Sequence, residues 1–495
     1  MRAITEPYMT ESESSGAQFP KCEGKSPSAS GLVQRLMGQA ILRFPQVFDK
    51  LRTGPPSPFF RDSHLANLLM DFEVLRGASQ QRVEVAKYIT DLVQKWFVFE
   101  SDRRTQTLEE ALAVATSPLP LRLETPGRNH QEQEIEISIK GRRFTGRDGV
   151  LGAISELTDS GVISAEAARA LEWSTNFVAA GDHGDQLRGR KFVLLGGTAE
   201  LSPLANLLSA GADVLTTHSS PGSLHRKIAS ELDNIAYPGR LFCIGDGFDL
   251  LVSPGKFSQT VVESFTKGEK VDVGLFAYKG GGGREWRLAA VMDGIVRKVL
   301  RRGLLRSVTY YLSPSMITEI SASTAALSVE RFNQQYSLDK HLFNLLTFNS
   351  LWKRNVLEGN GRYWTRSVLP HQGASYAAAK LFGTIYSAEV YCSNFESSET
   401  VIVSANVAPI TATASTDTRV TRIAFAQAGH FGIDIFTPST SRTLMYLLSL
   451  HDIFHPPSSS QQLFSKQIHG GVFTAPWGLD STMKLAYLRG VRTGR

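Results

Sequence analysis

The chain is poor in cysteine, has no long apolar run and carries no strong excess of either charge. Of its 495 residues only Cys22, Cys243 and Cys392 are cysteines. They are too few and too widely spaced for a disulfide framework or a zinc site, which fits a reducing cytoplasm. No apolar stretch approaches the ~18–20 residues that cross a bilayer, so no membrane span is expected. The formal charge is +6, with acids interspersed among the bases. The cluster Arg297-Lys298-Val-Leu-Arg301-Arg302 reads as the solvated face of a helix, and no nucleic-acid partner is expected. His430, His451, His455 and His469 show no metal-ligand spacing with acids or cysteines, so no metal site is expected. The first thirty residues lack the apolar core of a signal peptide, and Glu6, Glu11 and Glu13 argue against a transit peptide. Residues 1–30 read as a disordered leader.

What is present is the composition of a globular protein, 42% hydrophobic and 20% charged, at a length that suggests two or three domains. Residues 31–185 read as a mostly helical N-terminal domain. Leu32, Leu36, Ile41, Leu42 and Phe44 make one apolar stripe, and Leu65, Leu68, Leu69, Phe72 and Leu75 a second. A strand is expected in Gln133–Gly141, where polar and apolar residues alternate. Two helical segments are expected between Thr145 and Ala180, joined at Ser160–Ser164. The character changes near residue 186. Phe192-Val-Leu-Leu-Gly196-Gly197 is a continuous apolar run ending in glycine, as for a strand buried on both faces. A helical stretch, Leu201–Ala210, leads to the next buried run at Gly211–Thr217. Further buried strands are expected at Arg240–Gly245, Val271–Tyr278, Ser307–Ser313 and Val401–Val407, and a helix over Arg284–Arg302. Strands alternating with helices predict an α/β fold, a doubly wound parallel sheet over 186–495, with an insertion at about 316–370.

The chemistry-bearing pattern is Ser375-Tyr376-Ala-Ala-Ala-Lys380. A tyrosine and a lysine four apart share one helical face. An ammonium there favours the phenolate, and a tyrosine so tuned can give a proton to, or take one from, a carbonyl or alcohol oxygen. An alanine-rich turn is also good helix in its own right.

From Lys191 to about Leu450 the order of the parts resembles the short-chain dehydrogenase/reductase family. A glycine-ended first strand and a Gly-Ala-x-Val second strand open it. Val271-Asp272-Val-Gly-Leu-Phe-Ala277 stands where that family has its fourth strand, followed by Asn-Ala-Gly. Ser313-Pro-Ser315 ends the fifth, where the family places its catalytic serine. Tyr376 and Lys380 match Tyr-x-x-x-Lys, and Asn406-Val-Ala-Pro409-Ile-Thr411 is similar to the segment that closes over the nicotinamide. The resemblance implies that Tyr376 is the proton donor, that Lys380 tunes it and bonds the nicotinamide ribose, and that Ser315 or Ser313 orients the substrate carbonyl. It implies cofactor contacts at Gly196, Gly197, Thr198, Thr217, Ser219, Arg226, Ala277, Pro409 and Thr411. The second strand ends in hydroxyls with Arg226 and Lys227 nearby and no acid, which suits NADP over NAD.

The sequence departs from the family at several points. The opening loop keeps only its first glycines and carries Glu200, Phe276-Ala277-Tyr278 replaces Asn-Ala-Gly, and Asp293 is all that its helix offers for a catalytic asparagine. Gly280-Gly-Gly-Gly283-Arg284 reads as a flexible surface loop. About 60 residues, several times the family's spacing, separate Ser315 from Tyr376, including the apolar stretch His341–Trp352. The expectation is an NADP-dependent oxidoreductase acting on a carbonyl or alcohol of a fairly large apolar small-molecule substrate. The alternatives are a non-catalytic Rossmann-like binding or assembly protein and a cofactor-retaining lyase or epimerase. The family's habit of pairing through helices of this region makes a homodimer the default.

Overall fold

A computed structural model describes residues 15–21, 28–45, 80–101, 104–114, 116–124, 134–217, 222–227, 237–244, 248–281, 283–316, 318–335, 340, 352–359, 362–367, 373–394 and 400–494. In chain order, β1 (Gly16–Gln18), α1 (Ala29–Arg43), α2 (Gln80–Trp96), β2 (Val98–Ser101), β3 (Arg104–Thr107), α3 (Leu108–Ala113) and β4 (Leu121–Glu124) come first. Then follow β5 (Glu136–Ile139), β6 (Arg142–Thr145), α4 (Gly146–Asp159), α5 (Ala165–Ala179) and α6 (Asp182–Leu187). The central part holds β7 (Lys191–Leu195), α7 (Leu204–Ser209), β8 (Asp213–Thr216), α8 (Ser223–Lys227), β9 (Arg240–Ile244), α9 (Pro254–Thr260), β10 (Val271–Leu275), α10 (Arg284–Arg301) and β11 (Leu305–Leu312). Next are β12 (Glu319–Ile320), α11 (Ala322–Gln335), β13 (Val356–Gly359), β14 (Arg362–Thr365), α12 (Gly373–Ser393) and β15 (Ile402–Val407). The chain closes with α13 (Arg419–Ala428), α14 (Pro438–Phe454), α15 (Ser460–Leu463) and α16 (Leu479–Arg492).

The main sheet has the order β15-β11-β10-β7-β8-β9-β4. Its first six strands are parallel, and β4 adds an antiparallel edge beside β9 with Leu121 opposite Ile244. Counted along the chain, the parallel strands run 3-2-1-4-5-6, the dinucleotide-fold order, whose crevice opens where the order reverses. The parallel strands are largely buried because both faces are covered. Val193 and Leu195 of β7 enter one core, with Trp286, Ile295 and Phe382 of α10 and α12. Phe192 and Leu194 enter the other, with Leu157, Leu171, Leu208 and Leu447 of α4, α5, α7 and α14. That alternation is the period of two of a strand, expressed on two apolar faces.

Asp272 lies low in β10, at the end of the sheet opposite the crevice. Its carboxylate accepts hydrogen bonds from Arg190 at 2.6 and 2.7 Å and from Ser307 at 2.6 Å, and Arg306 stands at 3.3 Å. The residue pins three neighbouring chain segments. Across the sheet edge, β15 meets Gln467 through a single parallel bridge at Val407.

The N-terminal region differs from its sequence reading. Gly16–Gln18 is a strand paired with Val98–Glu100, so part of the stretch read as a leader is paired chain. Leu32, Leu36, Val85, Ile89 and Val93 of α1 and α2 share the core of α10 and α12. Phe19, Phe97 and Trp286 meet edge to face at 5.4–5.6 Å. These helices form a third layer over the outer side of α10 and α12. The second stripe expected at Leu65–Leu75 lies outside the described residues. Within 316–370, β12, β14 and β13 make a small antiparallel sheet stitched to the C-terminal segment. Asn355 Nδ2 donates to the carbonyls of Val472 and Ala475, and Leu479 N–H donates to Arg366 O. Of the stretch His341–Trp352 only Trp352 is described, against Trp477 at 4.9 Å.

Candidate active site

The C-terminal ends of β7 and β10 part at the reversal point of the strand order. The cleft there is lined by Gly196, Thr198, Thr217, Asp249, Ala277 and Tyr278 among others, with a volume of about 70 Å³, the room of a few waters. Gly196 has φ +89°, and a Cβ on it would stand 2.4 Å from Ala277 Cα. A Cβ on Gly197 would stand 1.9 Å from Thr216 Oγ1. Both glycines let the loop lie against its neighbouring strands. The loop's amides are partly engaged from within. Gly196 N–H donates to Thr217 Oγ1 at 2.8 Å, and Gly197 N–H donates to Thr217 O at 3.1 Å.

Glu200 follows the cleft-lining residues Thr198 and Ala199. Its carboxylate accepts the N–H of Ala414 at 3.1 and 3.2 Å, which joins the loop to the segment after β15. Arg442 Nε donates to Glu200 O at 2.9 Å, and Lys227 Nζ donates to Ala199 O at 3.2 Å. Arg226 is exposed on α8, and Ser219 lies outside the described residues. Pro409 and Thr411 follow β15. The hydroxyl of Thr411 is committed to Pro409 O at 3.0 Å and to Ser441 Oγ at 2.6 Å.

Tyr376 and Lys380 sit half-buried in the first turns of α12. The Lys380 ammonium is 5.3 Å from the centroid of the Tyr376 ring, close enough for cation–π attraction. Tyr278 lines the cleft and meets Tyr376 nearly perpendicularly, with centroids 6.3 Å apart. Burial, then Glu285 and Tyr376, push the Tyr278 phenol up to about 12, so it is neutral at ordinary pH. Glu285 ties this corner together. It accepts from Ser375 Oγ at 2.9 Å and from Gly281 N–H at 2.7 Å.

The structure thus brings Tyr376, Lys380, Tyr278, Ala277 and the glycine loop to one end of the sheet. Ser313 and Ser315 follow β11, but their hydroxyls bond each other at 2.7 Å, and neither bonds Tyr376. Arg284 donates to Gly280 O at 2.8 Å and to Gly281 O at 3.0 Å on the exposed surface. Two sequence expectations change. Asp293 is fully buried and held by Arg297 and Gln94. The basic cluster is not all solvated, since Arg297 is 14% exposed in a triple ion pair and Lys298 donates to Leu112 O. Tyr278 and Glu285 carry no recognisable motif. An aromatic residue just past a central strand was the available signal for Tyr278. Among the described residues no cluster of histidine, cysteine and acids suits a metal, and no helix is long and apolar enough to cross a membrane.

No family profile matches the chain, and no curated protein matches it. Among solved structures it is similar to short-chain dehydrogenases/reductases. One is a glucose/ribitol dehydrogenase-type member from Brucella melitensis, at 14% identity over 58% of this chain and 97% of that one, with a TM-score of 0.33. Another is the L-sorbose reductase of Gluconobacter frateurii, solved with NADPH and L-sorbose, at 11% identity over 58% and 97%, with a TM-score of 0.32. Likeness at this level says nothing about chemistry. The fold assignment rests on the strand order and the crevice.

Proposed function

We propose that the chain is an NADP-dependent oxidoreductase that reduces a carbonyl, or oxidises the corresponding alcohol, of a fairly large apolar small molecule. The observation that carries this is the ring contact of Tyr376 with Tyr278, which lines the cleft at the reversal point of a 3-2-1-4-5-6 sheet. Open α/β sheets bind ligands there.

The residues fit a dinucleotide in position and donor chemistry. Gly196, Gly197 and Thr198 border the phosphate side, with Ala277 across the cleft. Thr217 follows β8, and Arg226 and Lys227 lie on α8. That set is positive and free of acid, as a 2′-phosphate requires, and NAD is the lesser fit. The cleft is too small for a dinucleotide as it stands. Binding requires the 196–203 loop and the 409–416 segment to part and Glu200 to release Ala414. A bound nicotinamide supplies or accepts the hydride. Tyr376 gives the proton to the substrate oxygen in reduction and takes it back in oxidation, while Lys380 stabilises its phenolate. Ser315, with Ser313 behind it, is the group for the carbonyl oxygen once their mutual bond turns outward. Neutral Tyr278 walls the pocket beside Tyr376.

A second reading is a Rossmann-like binding protein without turnover. The Glu200–Ala414 bond favours it, because a carboxylate stands where a phosphate would approach. NADPH and NADH titration by nicotinamide fluorescence, followed by turnover on a panel of bulky ketones, separates the two. Micromolar NADPH binding weakened by Lys380→Ala, with turnover lost in Tyr376→Phe, supports the oxidoreductase. A folded protein that binds neither cofactor overturns it. If the chain pairs as a homodimer, it does so through a surface other than the outer faces of α10 and α12, which lie under α1 and α2.

A further inference from the structure

The densest charge cluster among the described residues lies outside the cleft and is independent of the reading above. Arg297 of α10 donates to Asp293 Oδ2 at 2.9 Å, to Asp91 Oδ1 of α2 at 2.8 Å, and to both oxygens of Glu389 of α12 at 2.6 and 2.7 Å. Gln94 of α2 also donates to Asp293 Oδ2, at 3.1 Å. Three helices from three parts of the chain therefore meet on one guanidinium.

The charges do not cancel. Asp293 is fully buried and Glu389 is 14% exposed, while Asp91 reaches water with 44% of its side chain. If all three acids ionise, one cation faces three anions, two of them withdrawn from water. Burying uncompensated charge is costly, so the inner pair is relieved by a proton. Asp293 Oδ1, buried and without a hydrogen-bond partner, leaves an atom of the pair unsatisfied. Among the described residues no other charge supplies the balance. Thr90 and Gln94 face the cluster from α2, Tyr310 from β11 and Tyr386 from α12, and all are neutral. Arg35 of α1 and Lys87 and Lys95 of α2 are exposed, and Glu109 of α3 pairs with Arg301 farther along α10.

We propose that Asp293 and Glu389 form a one-proton site around Arg297, and that its occupancy sets how tightly α2, and with it the N-terminal layer, is held against the helix carrying Tyr376 and Lys380. With the proton bound, the inner trio is neutral and the clamp is closed. When the proton leaves, Glu389, Asp293 and Asp91 repel one another about a single cation, and α2 loosens at Asp91 and Gln94. Burial, opposed by Arg297 and reinforced by Asp293, raises Glu389 to about 7, and burial raises Asp293 as well. The switch therefore falls near neutrality. The sign is that of a raised acid. The closed form holds a proton that the open form gives up, so docking is tight below neutrality and weakens as pH rises through it.

Hydrogen exchange of the α2 amides in the full chain, corrected for the intrinsic pH dependence of exchange, reads the clamp. Between pH 6 and pH 8 the wild type is expected to open about tenfold more, the consequence of losing one proton of that affinity. Glu389→Gln and Asp293→Asn are expected to flatten the dependence. A wild type without a pH dependence, or a variant that keeps the full slope, overturns the proposal. Infrared spectra of the wild type provide a test that needs no variant. A protonated-carboxyl band from a buried acid is expected at pH 6 and not at pH 8.5, and its absence at pH 6 overturns the proposal.

Discussion

Two pairs of like spacing lie on neighbouring helices and do opposite things. On α10, Asp293 and Arg297 are an acid and a cation four residues apart. On α12, Tyr376 and Lys380 are again an acid and a cation four residues apart. The first pair is sealed, and its guanidinium is saturated by three carboxylates. The second is half-buried at the mouth of a cleft, and its ammonium rests over a ring without a carboxylate partner among the described residues. Spacing puts the partners on one face; surroundings decide the role. Saturated partners hold helices together, whereas an open pair beside a crevice is available to a ligand.

That contrast can be broken from either side. The largest effect is expected at the sealed pair. Arg297→Met leaves two buried acids without their cation and should destabilise the protein by about 3–5 kcal/mol near neutral pH, read by denaturant melts. The loss should shrink in acid, where those acids are protonated. At the open pair, Tyr376→Phe should leave the melt within about 0.5 kcal/mol and lower turnover by roughly 10²–10⁴-fold. A thermal shift comparable to that of Arg297→Met would mean that Tyr376 is structural. Third, pH sharpens the comparison. Glu389 is raised from its ordinary range to about 7, so wild-type stability should fall as pH rises between those values and level off above, by about 2–3 kcal/mol in all. Glu389→Gln should remove most of that slope, while Tyr376→Phe should leave it unchanged. The smallest effect is expected at Glu200. Its bond to Ala414 is exposed, so Glu200→Ala should cost about 1 kcal/mol or less of stability. The same change should tighten NADPH several-fold in fluorescence titration, and unchanged or weaker binding would show that Glu200 does not guard the cleft.

The contrast also marks where reading residues in order stops. The parallel strands were legible because a strand buried on both faces is an unbroken apolar run, as in Phe192–Leu195 and Leu241–Ile244. Helices α4 and α5 were legible from periodicity and the Ser-Gly break between them. The edge strand β4 was missed because its four residues have too little pattern to separate from a loop. The strand at Gly16–Gln18 was missed because its partner, Val98–Glu100, lies far along the chain. Arg297 looked solvated for the same reason, since two of its three acids are 206 and 92 residues away. Glu200 was visible as a charge near a phosphate loop, but not as a tie to Ala414, 214 residues on. The Tyr376–Lys380 pair was visible because both members fit in one helical turn.

The third layer has a consequence for how the protein is made. Helices α1 and α2 leave the ribosome first, but the faces that cover Leu32, Leu36, Val85, Ile89 and Val93 belong to α10 and α12, some two to three hundred residues later. At ordinary synthesis rates that delay is on the order of tens of seconds. During it the N-terminal stripes stay open to water, to each other and to neighbouring nascent chains. A ribosome that stalls before α12 therefore releases a sticky fragment rather than a folded one, and productive synthesis depends on shielding those stripes until residue 393 has emerged.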